Sequence, residues 1–315
     1  MPRRSTLTAA IAAATLALAY SSTLAGPLDP PAGPVAPTHK TLTDVEPRTP
    51  IGPDTTPGNP ATIYQITQPG SYYLTGDVAG IVNRHGIYVS APDVTIDLNG
   101  FTLRGVVGAA HGIYMSSDAR NLVVRDGHLT GWDDAIAGLS GSGSRYERLT
   151  IDGGRGQGIV TGNSCVVSDC TVRFCADTGI NAGFYSTVTD CSVSGNGSGI
   201  ILLSNGTATD CFVHNNEIYG ISAGSRSLIR GNHCVLNGLD NTSGAGIHTA
   251  GQLTRIEGNS LVQNERGIHV TGTRNVIVSN SASLNGTNYS IGGTNTAGPV
   301  TSDLATASAW ANIAH

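Results

Sequence analysis

The sequence predicts an all-β chain coiled into a stacked solenoid, and three observations carry that expectation. The pair Gly-Ile recurs as Gly158-Ile159, Gly179-Ile180, Gly199-Ile200 and Gly220-Ile221, at intervals of 21, 20 and 21 residues. A second phrase recurs in step with it: Ser168-Asp169-Cys170-Thr171-Val172, Thr189-Asp190-Cys191-Ser192-Val193 and Thr209-Asp210-Cys211-Phe212-Val213. Gly supplies 42 of the 315 residues, and only 12% of residues are charged. That glycine share is near twice the usual ~7%, and no window sustains a helical period. Self-similarity near twenty residues marks repeats whose core lengthens unit by unit.

Residues 1–25 read as a secretory signal. Arg3 and Arg4 form a basic start, Leu7 to Ala19 an apolar run, and Thr23-Leu24-Ala25 a small-residue cleavage site. Its removal takes two arginines and no acids, moving the formal charge from −5 to −7. Such a chain is a poor partner for nucleic acid. No other apolar run reaches the ~18 residues of a membrane span. A secreted, periplasmic or cell-surface monomer is expected.

Residues 26–60 carry ten of the fourteen prolines and read as an extended spacer. Residues 61–85 hold two short strands around the Pro69-Gly70 turn, expected to cap the first rung and hide an open strand edge. The rungs then run over 86–293. Their markers are Gly86-Ile87, Gly112-Ile113, Ala135-Ile136, the four pairs above, Gly246-Ile247, Gly267-Ile268 and Ser290-Ile291. These make nine to ten rungs.

Each rung reads as three short strands, as in Gly86–Val89, Val94–Leu98 and Phe101–Leu103. Alternation turns the marker Ile inward and the next residue outward. The Gly before it allows a positive φ or close packing at the corner. Asn99, Asp126, Asp169, Asp190, Asp210, Asn232, Asn259 and Asn280 form a corner column suited to the left-handed conformation. Three parallel strands per turn, wound one way, make a right-handed single-stranded parallel β-helix. Residues 294–315 lose the repeat and are expected to fold over the last rung as a C-terminal cap, with Trp310 on its apolar face.

The six cysteines argue against bridges. Cys170, Cys191, Cys211 and Cys234 are placed in one column, ~4.8 Å apart at strand spacing, whereas bridged Cβ atoms sit near ~3.8 Å. A buried thiol column is expected. Cys165 and Cys175 share a rung and are the pair to consider if any bridge forms.

The phrase Thr95-Ile96-Asp97-Leu98-Asn99-Gly100-Phe101-Thr102-Leu103 resembles an opening rung of the secreted β-helix repeat proteins in the pectate-lyase-like superfamily. Pro69-Gly70-Ser71-Tyr72-Tyr73-Leu74 resembles its lead-in strand. The likeness covers about 61–315 and implies a fold more than an activity, because that superfamily spans lyases, hydrolases, epimerases and non-enzymatic surface proteins. Its catalytic motifs do not carry over. Lys40 is the only lysine, and 61–315 holds prolines at 69, 92 and 299 alone, which removes the Arg-x-Pro-x-x-Arg and Asp-Pro-His-Glu motifs. Of the polygalacturonase-like motifs only Asp133-Asp134 is present, and Arg255-Ile256-Glu257 breaks the Arg-Ile-Lys one.

Two constellations remain. His85, His111 and Asp134 precede three successive markers, with Asp133 alongside. These four are the candidate catalytic residues, and Tyr88, Tyr114 and Trp132 form a candidate sugar-binding shelf. Aromatic faces take sugar rings, and a carboxylic acid protonates a glycosidic oxygen. The plainer reading is that the histidines cap turns and the tyrosines stack as a ladder. The second constellation is His248 and His269, outward on adjacent rungs, able to share a transition metal or to stand as a solvent-facing polar ladder. The row Asp169, Asp190 and Asp210 would hold Ca²⁺ or bond to backbone N–H groups. Taken together, the residues point to binding, with or without lyase or hydrolase cleavage, of an extracellular polysaccharide along the rung surface. A non-catalytic adhesion or structural scaffold is the alternative.

Overall fold

The computed structural model describes residues 47–139, 141–239 and 243–315. The expected signal and the spacer as far as residue 46 lie outside them. The described chain is all β, and among these residues no helix is long and apolar enough to cross a membrane. Its strands stack in two parallel sheets. The marker strands build one sheet, from Thr62–Ile66 through His85–Val89 to Thr287–Ile291. The second and third strands of every rung build the other, twenty-two strands in all. In two rungs these strands run together without a break, as Val123–Trp132 and Arg145–Gly154.

The expected solenoid is longer than nine to ten rungs. Thr62–Ile66 pairs in parallel with His85–Val89, Tyr64 against Ile87 and Gln65 against Tyr88, so it is a full rung below the first marker. Eleven marker strands therefore run in parallel. The part of the expected spacer that is described is also built into the stack. Thr49–Pro50 pairs with Tyr72–Tyr73, and Pro57–Asn59 pairs antiparallel to Thr62–Tyr64. At the far end the marker is Asn288-Tyr289 rather than Ser290-Ile291, because Tyr289 pairs with Ile268 and takes the inward position. Asn312–Ala314 then joins as the last third strand, on Ser281–Ala282. Trp310 does not cover that rung: it is 64% exposed, and the buried neighbours are Ala311 and Asn312.

The core is a set of columns. Nine marker isoleucines, Ile87 to Ile268, are fully buried in register. Each contributes about 1.5–3 kcal/mol of transfer free energy. The marker glycines serve close packing rather than a positive φ. A Cβ on Gly86, Gly158, Gly199 or Gly220 would lie 2.4–2.5 Å from a carbonyl oxygen of the next rung.

The corner column divides into two adjacent ones. Asn99, Asp126, Asp169, Asp190 and Asp210 have φ of 52–59°, as expected, and Gly231, Gly258 and Ser279 continue that position. Asn232, Asn259 and Asn280 fall one residue later, in the column that Cys170, Cys191 and Cys211 begin. There the Cys211 N–H donates to Asn232 Oδ1, and Asn232, Asn259 and Asn280 each donate backbone N–H and Nδ2 to the next Oδ1, ending on Asn312. A second ladder runs from Cys175 through Asn196, Asn216, Asn237 and Asn264 to Asn285. All six cysteines are free and buried. Cys234 pairs with Val213 and Leu261 and so belongs to the third strand, not to the thiol column. Cys165 and Cys175 sit at different corners of their rung, ten residues apart, which leaves no bridge to form.

Candidate functional site

The N-terminal rungs bring most of the expected shelf together. Register places Thr62, His85 and the turn before Ile113 at one corner, and Tyr88 opposite Tyr114 on the outward face. His85 stacks on Tyr114 with ring centroids 4.5 Å apart and planes 10° from parallel. Its ring lies 5.2 Å from His111, and Tyr88 lies 5.7 Å from Tyr114. A hollow of about 340 Å³ opens beside these rings, lined by Asn59, Ala61, Thr62, His85, Tyr88 and Tyr114. Thr62 is only 4% exposed, and its hydroxyl has no hydrogen-bond partner. A buried hydroxyl left unpaired costs about 1–3 kcal/mol, and Thr62 carries that cost inside the wall, with its oxygen closed to solvent.

Trp132 is the member that leaves the shelf. It is fully buried, its Nε1–H donates to Leu103 O at 3.0 Å, and its ring fills the space left by Gly80, Gly86 and Gly112. Asn59, Ala61 and Thr62 are the lining residues that the marker pattern misses, because Ile63 stands where the glycine would be. The alternation of Thr62–Ile66 was the available signal.

His85, His111 and Asp134 act as a corner ladder. The His111 N–H donates to His85 Nδ1, the Asp134 N–H to His111 Nδ1, and the Gln157 N–H to Asp134 Oδ1, at 3.3, 3.4 and 2.7 Å. Asp134 Oδ2 lies 3.2 Å from His111 Nδ1. Burial works to raise the Asp134 carboxyl. The contact with the His111 ring and the hydrogen bond from the Gln157 N–H outweigh it and hold the group below the usual carboxylate range. Burial, then the nearby His111, lowers His85. Asp133 is not paired with Asp134. It is half exposed, and its nearest cation is Arg155 at 4.0 Å.

The second constellation is a ring stack of its own. Tyr219 lies on His248 at 4.5 Å and 10°, and His248 lies 5.3 Å from His269. Arg266 Nη1 approaches His269 Nδ1 at 3.2 Å, and Ser222 Oγ approaches His248 Nδ1 at the same distance. Burial, His269 and Arg266 push His248 down to about 4. A guanidinium beside the pair repels a metal cation, and among the described residues no three His, Cys, Asp or Glu side chains converge on a metal-sized site. That holds for the Asp169, Asp190 and Asp210 row as well.

Residues 77–218 and 135–283 match the sequence model of a family described as "Right handed beta helix region". No curated protein matches the chain. Among solved structures, a tailspike protein mutant of E. coli bacteriophage HK620, in complex with pentasaccharide, superposes with a TM-score of 0.57 at 10% identity. That match covers 81% of this chain and 56% of the tailspike. The Dettilon tailspike protein superposes with a TM-score of 0.54 at 14% identity, over 80% of this chain and 60% of its own. The chain thus spans less than two thirds of the tailspikes it matches, and at such identities the likeness is one of fold.

Proposed function

The chain belongs to the right-handed β-helix family, and from that premise we propose that it binds a polysaccharide in the hollow beside Tyr88, Tyr114 and His85. The observation that carries the reading is the hollow of about 340 Å³ beside the stacked rings of His85, Tyr88 and Tyr114. A few placed polar groups among apolar walls are the usual composition of a small-ligand site. Tyrosine and imidazole rings offer C–H-rich sugar faces a partner, and the exposed Asn59 offers hydrogen bonds to hydroxyls. The tailspike protein mutant of bacteriophage HK620 that shares this fold is in complex with pentasaccharide. An exported location follows from residues 1–25 and belongs to the same proposal.

Binding stands ahead of cleavage. A glycosidase acid must be protonated, and Asp134 is held ionised at neutral pH while bonded into the corner. Two cooperating carboxylates are required, and Asp133 is turned to Arg155. The scaffold alternative draws on the same corner, since the ladder through His85, His111 and Asp134 already gives these side chains structural work.

A glycan array with the purified protein, followed by titration of the best ligand, separates the readings. Tyr114→Ala and Tyr88→Ala should each weaken binding by about tenfold, the loss of roughly one good contact. Wild-type protein that retains no glycan, or binding indifferent to both substitutions, would remove this site. Should the bound glycan also be cleaved, Asp134→Asn retaining full turnover would exclude Asp134 from that chemistry.

A further inference from the structure

The outward face of the third strands carries a hollow that none of this uses. Alternation buries Leu103, Leu129, Ile151 and Val172 and turns their neighbours out. Register then aligns Thr102 with His128, and Arg104 with Thr130, Asp152 and Arg173, over four successive rungs. Together they line about 350 Å³. The walls are fixed: Thr130 Oγ1 donates to Asp152 O at 2.6 Å, and Arg173 Nη2 to Asp152 Oδ2 at 2.8 Å. Arg104 is exposed, and its side chain makes no hydrogen bond or ion pair with the described residues. Two arginines against one aspartate leave the hollow locally positive in a chain of net charge −5. Further along the same face the equivalent positions hold Ser194, His214, Val235, Val262 and Ser283, with no arginine.

We propose that this hollow is a second saccharide site, on a different sheet from the first, that selects an anionic sugar through Arg104. A guanidinium presents a planar fork to a carboxylate or sulfate. His128, Thr102 and the Asp152 carboxylate supply donors and acceptors for the hydroxyls beside that anion. The proposal shares with the preceding section only the expectation that the ligand is a glycan, and it requires nothing of the tyrosine hollow.

The test is calorimetric titration of the whole chain with three probes: a glucuronic acid tetrasaccharide, the same oligomer with its carboxyls reduced, and a sulfated neutral tetrasaccharide. Arg104→Gln should weaken the charged probes on the order of tenfold and leave the melting temperature unchanged, since Arg104 is exposed. Loss of the uronate alone assigns a carboxylate site, and loss of the sulfated probe alone a sulfate site. Tyr114→Ala separates the two hollows. If Arg104→Gln loses the anionic probes while Tyr114→Ala does not, the second site stands even where the first fails. Charged probes that both bind no better than the reduced oligomer, no binding of either charged probe, or affinity for both unchanged in Arg104→Gln overturns it.

Discussion

One asparagine shows how the corners are held. Asn259 Oδ1 accepts from the N–H and Nδ2 of Asn232, while its own Nδ2 donates to Ile229 O, Glu257 O and Asn280 Oδ1, at 2.9–3.1 Å. Replacing it with Ala strands buried donors and acceptors on three rungs. Asn259→Ala should cost about 3 kcal/mol and lower the thermal midpoint by roughly 6–12 °C, measured by calorimetry. The asparagines were visible in the sequence, but their column was not. Asp210 and Asn232 differ by one position in their rungs, and single-letter similarity merged a backbone-conformation column with a hydrogen-bonding one. Cys234 was misplaced for a related reason, because only strand register distinguishes it from the thiols of Cys170, Cys191 and Cys211.

At the level of the strand, the Gly-Ile marker was legible because it solves a packing problem in every rung. A Cβ at Gly199 would lie 2.4 Å from Gly220 O and 2.6 Å from Val213 Cγ1. Gly199→Ala should therefore destabilise by about 2–4 kcal/mol, read as a lower denaturant midpoint. Ala135 fills the equivalent position of one rung, so the strain falls on the local carbonyl and not on the architecture. Where the marker changes its letters, the reading slipped. Ile63 in place of glycine hid the rung of Thr62–Ile66, and with it Thr62 and Asn59, while Tyr289 shifted the last marker by two residues. The strands carrying His248 and His269 make a pH prediction. His248 titrates near 6.5 when exposed and near 4 in the fold, so the unfolded chain takes up the proton first. Stability is then complete above pH 6.5 and falls as pH drops toward 4. His248→Gln should flatten that part of a thermal-midpoint-against-pH curve, and an unchanged slope would remove the assignment.

For the whole molecule, the solenoid itself was the most legible feature, since nearest-neighbour stacking repeats its demands every rung. The candidate site was less so. Trp132 looked like a surface aromatic because nothing local reveals that Gly80, Gly86 and Gly112, from other strands, vacate the space its ring fills. The ends also depended on distant partners. Asn312 closes its ladder by giving its N–H to Pro299 O and its Nδ2 to Gly298 O. Removing residues 298–315 bares the N–H and Nδ2 of Asn280 and should lower the thermal midpoint by several degrees, with the last rungs losing amide-exchange protection first. The ladder also has a direction, since every link donates toward the C-terminal side. A molecule stripped of its last segment would show a donor-rich terminal face. A truncated rod would thus end on bare amide donors where the intact chain presents the Asn312 side-chain oxygen.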